Sequence, residues 1–152
     1  MKQNLVIKQA TIADLEELAE LFNAYRMFYK QSSDVEGARH FLLERLERQE
    51  SIIFVAIEAE QHKIIGFTQL YPSFSSISMQ RSFILNDLYV EESFRKLGVG
   101  KKLLEAAEHY TKQMKAKGIE LTTGKENITA QRLYENYGYE KIKEYEYYYL
   151  TI

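Results

Sequence analysis

Apolar residues return every three or four positions from Ile12 to Phe28, and Ile12, Leu15, Leu18, Ala19, Phe22, Tyr25 and Phe28 line one face of a helix. Thr11-Ile12-Ala13-Asp14 reads as the capping box that opens it. A second box, Ser33-Asp34-Val35-Glu36, predicts another helix with Val35, Ala38, Phe41, Leu42 and Leu46 inward. Glu44, Arg45, Glu47 and Arg48 face water on the same helix. Leu5 to Ala10 precede both as a short extended segment.

The period then shortens. Ser51 to Glu58 is β-branched and aromatic, Ala59 to Lys63 is polar, and Ile64 to Tyr71 resumes the strand pattern, which predicts a hairpin. Pro72 to Arg81 reads as a loop and Phe83 to Val90 as the next strand. A helix follows from about Gly98 to Lys117, with Val99, Leu103, Ala106, Ala107, Tyr110 and Met114 on one side and Gly118 as its stop. Ile119 to Thr123 is a short strand, Asn127 to Tyr137 a helix ended by Gly138, and Tyr139 to Leu150 two final strand pieces. The order β-αα-βββ-αβ-αββ makes an α/β chain with no internal repeat and no Pro-, Gly- or Ser-rich linker.

At 152 residues this is the size of one domain, residues 1–152. Twenty Lys and Arg against 22 Asp and Glu leave a net charge of -2, so no overall positive field favours nucleic acid or an anionic membrane. The absence of cysteine removes disulfides, thiolate metal sites and a Cys nucleophile together, and fits a reducing cytoplasm. Met1 to Val6 lacks the apolar core of a signal peptide, and the longest strictly apolar run, Ile52 to Ile57, is far shorter than a membrane span. The expectation is a soluble cytoplasmic protein.

The candidate chemistry gathers after the strand Phe83-Ile84-Leu85-Asn86-Asp87-Leu88-Tyr89-Val90. There Arg95-Lys96-Leu97-Gly98-Val99-Gly100-Lys101 leads into the long helix. Two glycines one residue apart let the backbone approach a ligand, and first-turn N–H groups converge on an anion. Arg95, Lys96 and Lys101 add positive charge, which points to phosphate. A dinucleotide fingerprint needs a third glycine where Leu103 stands, and a P-loop needs glycine at Arg95 and Ser or Thr at Lys102.

The remaining pattern, R-x-x-G-x-G on a strand-turn-helix, resembles the pyrophosphate motif of the GNAT superfamily of acetyl-CoA-dependent N-acetyltransferases. Asn127-Ile128-Thr129-Ala130-Gln131-Arg132-Leu133-Tyr134 through Gly138-Tyr139 is similar to that family's second motif, N-x-x-A-x-x-x-Y-x-x-x-G-F/Y. Asn127 is a good N-cap, and spacings of three and four align it with Ala130 and Tyr134 on one helix face. In their packing role, Ala130, Leu133 and Tyr137 fill a core while Gly138 caps the helix. The resemblance implies a mixed, mostly antiparallel twisted sheet of six or seven strands flanked by four helices. It also implies a central parallel pair, splayed at a bulge, between the strand ending at Val90 and Ile119 to Thr123.

The same resemblance implies the roles. Ladder groups of Leu88, Tyr89 and Val90 are left free for pantetheine amides. N–H groups of Leu97, Gly98, Val99, Gly100 and Lys101 hold the pyrophosphate, with Arg95 assisting and Lys96 in a slot that relatives often fill with glycine. Asn127 hydrogen-bonds the pantetheine arm, Ala130 gives clearance, and Tyr134 protonates the departing thiolate. An N–H near Val90 polarises the thioester carbonyl. Without cysteine there is no acetyl-enzyme on sulfur, so transfer is direct in a ternary complex. Asp87 is either the base, acting through water, or a structural acceptor. Asn86 stands where the polyamine-acetylating branch carries an acid.

Acceptor recognition is assigned to Tyr25, Tyr29, Tyr71 and Asn86, with the aromatic faces suited to an ammonium. Phe28 and Phe74 are read as packing residues or solvated turn. The Ser-rich stretch 71–76 lacks a G-x-S-x-G nucleophile motif. His40, His62 and His109 show no ligand spacing, so no metal is expected. Tyr145, Tyr147 and Tyr149 alternate with Glu146, Tyr148 and Leu150, as in sheet packing or a dimer contact. Three readings stand: acetylation of a small-molecule amine, acetylation of a protein lysine or N-terminus, and a catalytically silent CoA-binding module.

Overall fold

A computed structural model describes residues 4–152; Met1–Gln3, part of the stretch read above for a leader, lie outside the described residues. The order is β1 (Leu5–Gln9), α1 (Leu15–Phe28), α2 (Val35–Glu47), β2 (Ile52–Glu58), β3 (Lys63–Ser75), β4 (Gln80–Val90), α3 (Val99–Gln113), β5 (Ile119–Glu120) and α4 (Ile128–Tyr137). Two compact units divide the chain, one ending at Thr122 and one running from Thr123 to Ile152.

In the first unit the strands form one sheet in the order β1-β2-β3-β4-β5, antiparallel except for the parallel β4–β5 pair. Side chains on β2 and β3 are buried on both faces, which is why those strands read as continuous apolar runs. Ile53, Val55, Ile64 and Phe67 pack with Leu15, Leu18, Phe22, Ala38 and Leu42 of α1 and α2. Ala56 and Ile65 pack with Val99 and Leu103 of α3. Each fully buried Leu, such as Leu18 or Leu42, contributes about 1.5–3 kcal/mol by leaving water.

Thr11 caps as expected: its side chain accepts from Ala13 and Asp14 answers on the Thr11 N–H, opening a 3-10 turn that leads into α1. At α2 the cap falls one residue later than predicted. Asp34 accepts from the Gly37 N–H at 2.9 Å, while Ser33 accepts from Asn23. Three helices end without glycine: Lys30, Gln49 and Lys115 take positive φ. At each, the next N–H reaches a carbonyl five residues back, Gln31 to Arg26, Glu50 to Arg45 and Ala116 to Thr111. So α3 stops at Gln113, before Gly118.

Other expectations are corrected. Pro72 to Ser75 continue β3, and only residues 76–79 turn, because Pro72, Ser73, Phe74 and Ser75 pair with Phe83, Ser82, Arg81 and Gln80 across the hairpin. The Arg81 guanidinium over the Phe74 ring at 5.3 Å secures that pairing against the turn-prone local composition. The sheet has five strands among the described residues, not six or seven, because residues 139–152 are assigned no strand. Among the described residues β4 and β5 close the strand order, so the parallel pair stands at its end and not at its centre. No helix among the described residues is long and apolar enough to cross a membrane.

In the second unit, α4 is capped by Asn127, whose side chain accepts from the Ala130 N–H at 3.1 Å, and ends at Gly138 with φ +127. No residue from 123 to 152 is buried.

Candidate active site

Strand β4 breaks its register with β3 in the middle: Gln69 faces Asp87 and Leu70 faces Leu85, so Asn86 is the extra residue of a bulge. The bulge turns Asp87 inward. Its carboxylate is buried and accepts from Gln69 Nε2 at 2.7 Å and Asn86 Nδ2 at 3.1 Å, while its carbonyl accepts from Thr68 Oγ1 at 2.8 Å. Gln69 Oε1 is buried with no hydrogen-bond partner. Burial, and then the Asp87 charge, push the Tyr71 phenol up to about 12, with Arg45 opposing. Asn86, Asp87 and Tyr71 therefore share one electrostatic neighbourhood. Gln69 joins them, and the sequence reading missed it although Thr68-Gln69 is a polar pair inside an apolar run.

The β4–β5 ladder is confined to Phe83↔Ile119 and Ile84↔Glu120, so Leu88, Tyr89 and Val90 are paired to β3 alone. β5 is shorter than the predicted 119–123. Beyond Val90, Lys96 turns the chain at φ +64 and Gly98 turns it again at φ +82 as the N-cap of α3. Lys96 therefore holds a left-handed conformation that glycine would adopt without strain.

No side chain caps α3 and no acid stands in its first turn, so the N–H groups of Val99, Gly100 and Lys101 lack intrahelical partners. Such a terminus attracts an anion. Val99 is buried in the core, so its backbone is what the turn presents, while Leu97 is half exposed. Gly66 on β3 seats this turn. A Cβ there would lie 3.1 Å from the Tyr89 carbonyl, 3.3 Å from Leu103 Cδ1 and 3.4 Å from Val99 Cγ1.

Arg95 is committed to its own neighbourhood: Nε donates to the Val90 carbonyl at 2.8 Å and the guanidinium lies 5.3 Å from the ring centroids of both Phe28 and Tyr89. Tyr89 also meets Tyr25 at 5.7 Å and Phe28 at 6.1 Å, and Tyr25 meets Phe67 at 5.5 Å and Tyr29 at 5.2 Å. The end of α1 is thus an aromatic cluster whose cation is Arg95. Phe28 and Phe74, read as packing or turn residues, are 55% and 71% exposed, each beneath an arginine.

On α4, Asn127, Ala130 and Tyr134 are each half-buried and spaced along one face, as expected. The Asn127 Oδ1 is taken by the cap. The Tyr134 ring packs edge-on against Tyr139 at 5.8 Å. A cavity of about 610 Å³ in the first unit, lined by Gln9, Thr11, Ser51, Pro72, Arg81 and Tyr110 among others, contains none of the predicted site residues except by sequence neighbourhood to Tyr71.

The sequence profile of the Acetyltransferase (GNAT) family matches residues 15–139. An uncharacterized N-acetyltransferase of Bacillus subtilis is 48% identical over 96% of this chain and 97% of its own length. A crystal structure of a probable acetyltransferase superposes with a TM-score of 0.92 at 42% identity, over 97% of each chain. An aminoglycoside N-acetyltransferase solved in complex with CoA shares the fold, with a TM-score of 0.82 at 19% identity over 100% of this chain and 98% of its own.

Proposed function

The chain belongs to the Acetyltransferase (GNAT) family and is an acetyl-CoA-dependent N-acetyltransferase, and on that premise we propose that it acetylates a primary amine of a small molecule, polyamine-like or amino-acid-like. In this reading residues 1–152 act as one cytoplasmic domain that works as a homodimer. The observation that carries it is the uncapped first turn of α3, directly after a strand end whose outer edge is unpaired. An anion seat beside an open strand edge suits a ligand with a diphosphate and an amide-bearing arm.

When bound, acetyl-CoA supplies an activated thioester carbonyl. The N–H groups of Leu97, Gly98, Val99, Gly100 and Lys101 bind its diphosphate, and Lys96 and Lys101 add charge. The free edge at Leu88, Tyr89 and Val90 orients the pantetheine amides as a paired strand would. Arg95 acts through the backbone: by holding the Val90 carbonyl it fixes the turn. Asn127 Nδ2 and the small Ala130 line the arm from α4.

A primary amine with a pKa of about 10 must lose a proton before it attacks. Asp87 accepts that proton, directly or through one water, with Gln69 and Asn86 holding the carboxylate in place. Tyr134 gives its phenolic proton to the departing sulfur. Asn86, Tyr71, Tyr25 and Tyr29 border the amine. A carboxylate as enclosed as Asp87 admits a slender ammonium more readily than a bulky one, which favours a small acceptor.

The test is acetyl-CoA-dependent thiol release across polyamines, amino acids, aminoglycosides and lysine peptides, with calorimetry of acetyl-CoA binding alongside. Turnover with a small amine supports the reading. Turnover restricted to peptides replaces it with protein acetylation, and tight binding with no turnover on any acceptor replaces it with a silent binding module.

A further inference from the structure

At the end of the sheet away from the first turn of α3 lies the cavity of about 610 Å³, whose whole wall belongs to the first unit. It has the size of a small-molecule site, about 300–1,000 Å³. Its position follows from the topology: β1 ends there at Gln9, β2 begins there at Ile52, and Tyr110 comes from the last turn of α3, roughly 16 Å along that helix from Val99. No residue assigned above to acetyl-CoA or to the amine lines it. Its floor is apolar, with Ile52, Ile53 and Phe83 all buried. Two groups on its wall lack a polar partner among the described residues. The Ser51 hydroxyl is buried with nothing to hydrogen-bond, on a residue only 9% exposed. The Arg81 guanidinium has no carboxylate partner. It lies 5.3 Å from the Phe74 ring centroid, and the Arg81 carbonyl accepts from the Lys117 N–H at 2.8 Å. Arg81 is therefore held in place while its N–H fork stays on offer.

We propose that this cavity binds a small carboxylate with an apolar body, held by Arg81 and Ser51. A planar guanidinium meets a carboxylate with two parallel N–H···O bonds, stronger than neutral ones. A buried hydroxyl left without a partner is costly, and a carboxylate oxygen at that wall accepts from it. Glu47 is the one acid on the wall among the described residues, at the end of α2 that leads into β2. β2 stands two strands from Arg81 on β4, about 10 Å at ordinary strand spacing. Glu47 repels a second negative group at its own end, so the occupant carries one carboxylate, at the Arg81 end. Ile52, Pro72 and Phe83 then take the hydrocarbon part, whose removal from water adds affinity in proportion to the area buried.

The probe is isocaproate, titrated into the isotope-labelled full chain and followed by amide NMR, with and without saturating acetyl-CoA. Saturable binding with a dissociation constant in the millimolar range or tighter is expected, with the shifts centred on Ser51, Ile52, Arg81 and Phe83. Isocaproamide, which lacks the charge, and Arg81→Leu should each weaken binding by about tenfold or more. Ser51→Ala should weaken it by less and leave the free chain at least as stable, because it removes an unmet hydroxyl. Leucine in place of isocaproate tells an amino acid from a simple acid as the source. An absence of saturable binding overturns the site. Equal affinity for isocaproate and isocaproamide overturns it too, and the natural chain alone reports this should Arg81→Leu not fold. Displacement of isocaproate by acetyl-CoA puts the carboxylate at the first turn of α3 and overturns the site as well.

Discussion

Gln69 donates through Nε2 to Asp87 Oδ2 at 2.7 Å while its own Oε1 is buried without a partner. An unmet acceptor in a protein interior costs about 1–3 kcal/mol and persists where the surroundings use it. Here it lies beside the only carboxylate within the β4 strand, at a bulge that turns the chain inward.

Asp87→Asn should therefore lower kcat/KM for the amine by about 100-fold or more, in the range of a lost general base. Acetyl-CoA affinity should hold. Gln69→Leu should cause a smaller loss, since Asn86 still donates to the carboxylate. Steady-state kinetics paired with calorimetry check this, and equal activity of Asp87→Asn and the natural chain would remove Asp87 from catalysis.

Tyr134→Phe keeps the ring packing against Tyr139 and removes one hydroxyl. Turnover should fall by about 10²-fold with acetyl-CoA affinity changed little. Rapid-quench measurement of the chemical step separates this from slow product release.

The two left-handed residues before α3 should respond in opposite senses. Lys96→Gly relieves a conformation that costs an L-residue about 1–2 kcal/mol, against an entropic cost of about 0.5–1 kcal/mol for glycine, so stability should be unchanged or slightly higher. Gly98→Val should destabilise by strain alone, since a Cβ there meets nothing within 4 Å. It should also weaken acetyl-CoA binding. Thermal melts and calorimetry on the same samples check both.

Gly66→Ala presses on the seat of α3 from beneath. Overpacking of this kind costs about 1–3 kcal/mol, and moving the first turn should raise KM for acetyl-CoA more than KM for the amine.

Tyr71 should stay a neutral phenol throughout the working pH range. Its folded pKa is raised to about 12 by burial first and the Asp87 charge second, above the ordinary value of 10.0. A raised folded value means the stability it contributes is complete below pH 10 and is lost as pH rises through about 12. Ultraviolet titration of phenolate should show a late-titrating tyrosine that disappears in Tyr71→Phe, and Asp87→Asn should bring its titration to lower pH.

Much of the local backbone geometry was legible. The Thr11 box, the Gly98 turn, and Asn127, Ala130 and Tyr134 on one helix face follow from spacings of two to four residues. Partners distant in the chain were not legible. Arg95 binds Val90 and two rings from separate elements, and Gln69 meets Asp87 only through strand register.

Sequence alone determined the element order as far as α4, the N-caps at Thr11 and Asn127 and the glycine-bearing turn, since propensity and periodicity act within a few residues. Tertiary structure decided the rest. Hairpin pairing drew Pro72 to Ser75 into β3 against their turn composition, and a register shift selected Asp87 for burial. The tyrosines from 145 to 149 have strand alternation, but alternation becomes a strand only when another edge supplies the hydrogen bonds.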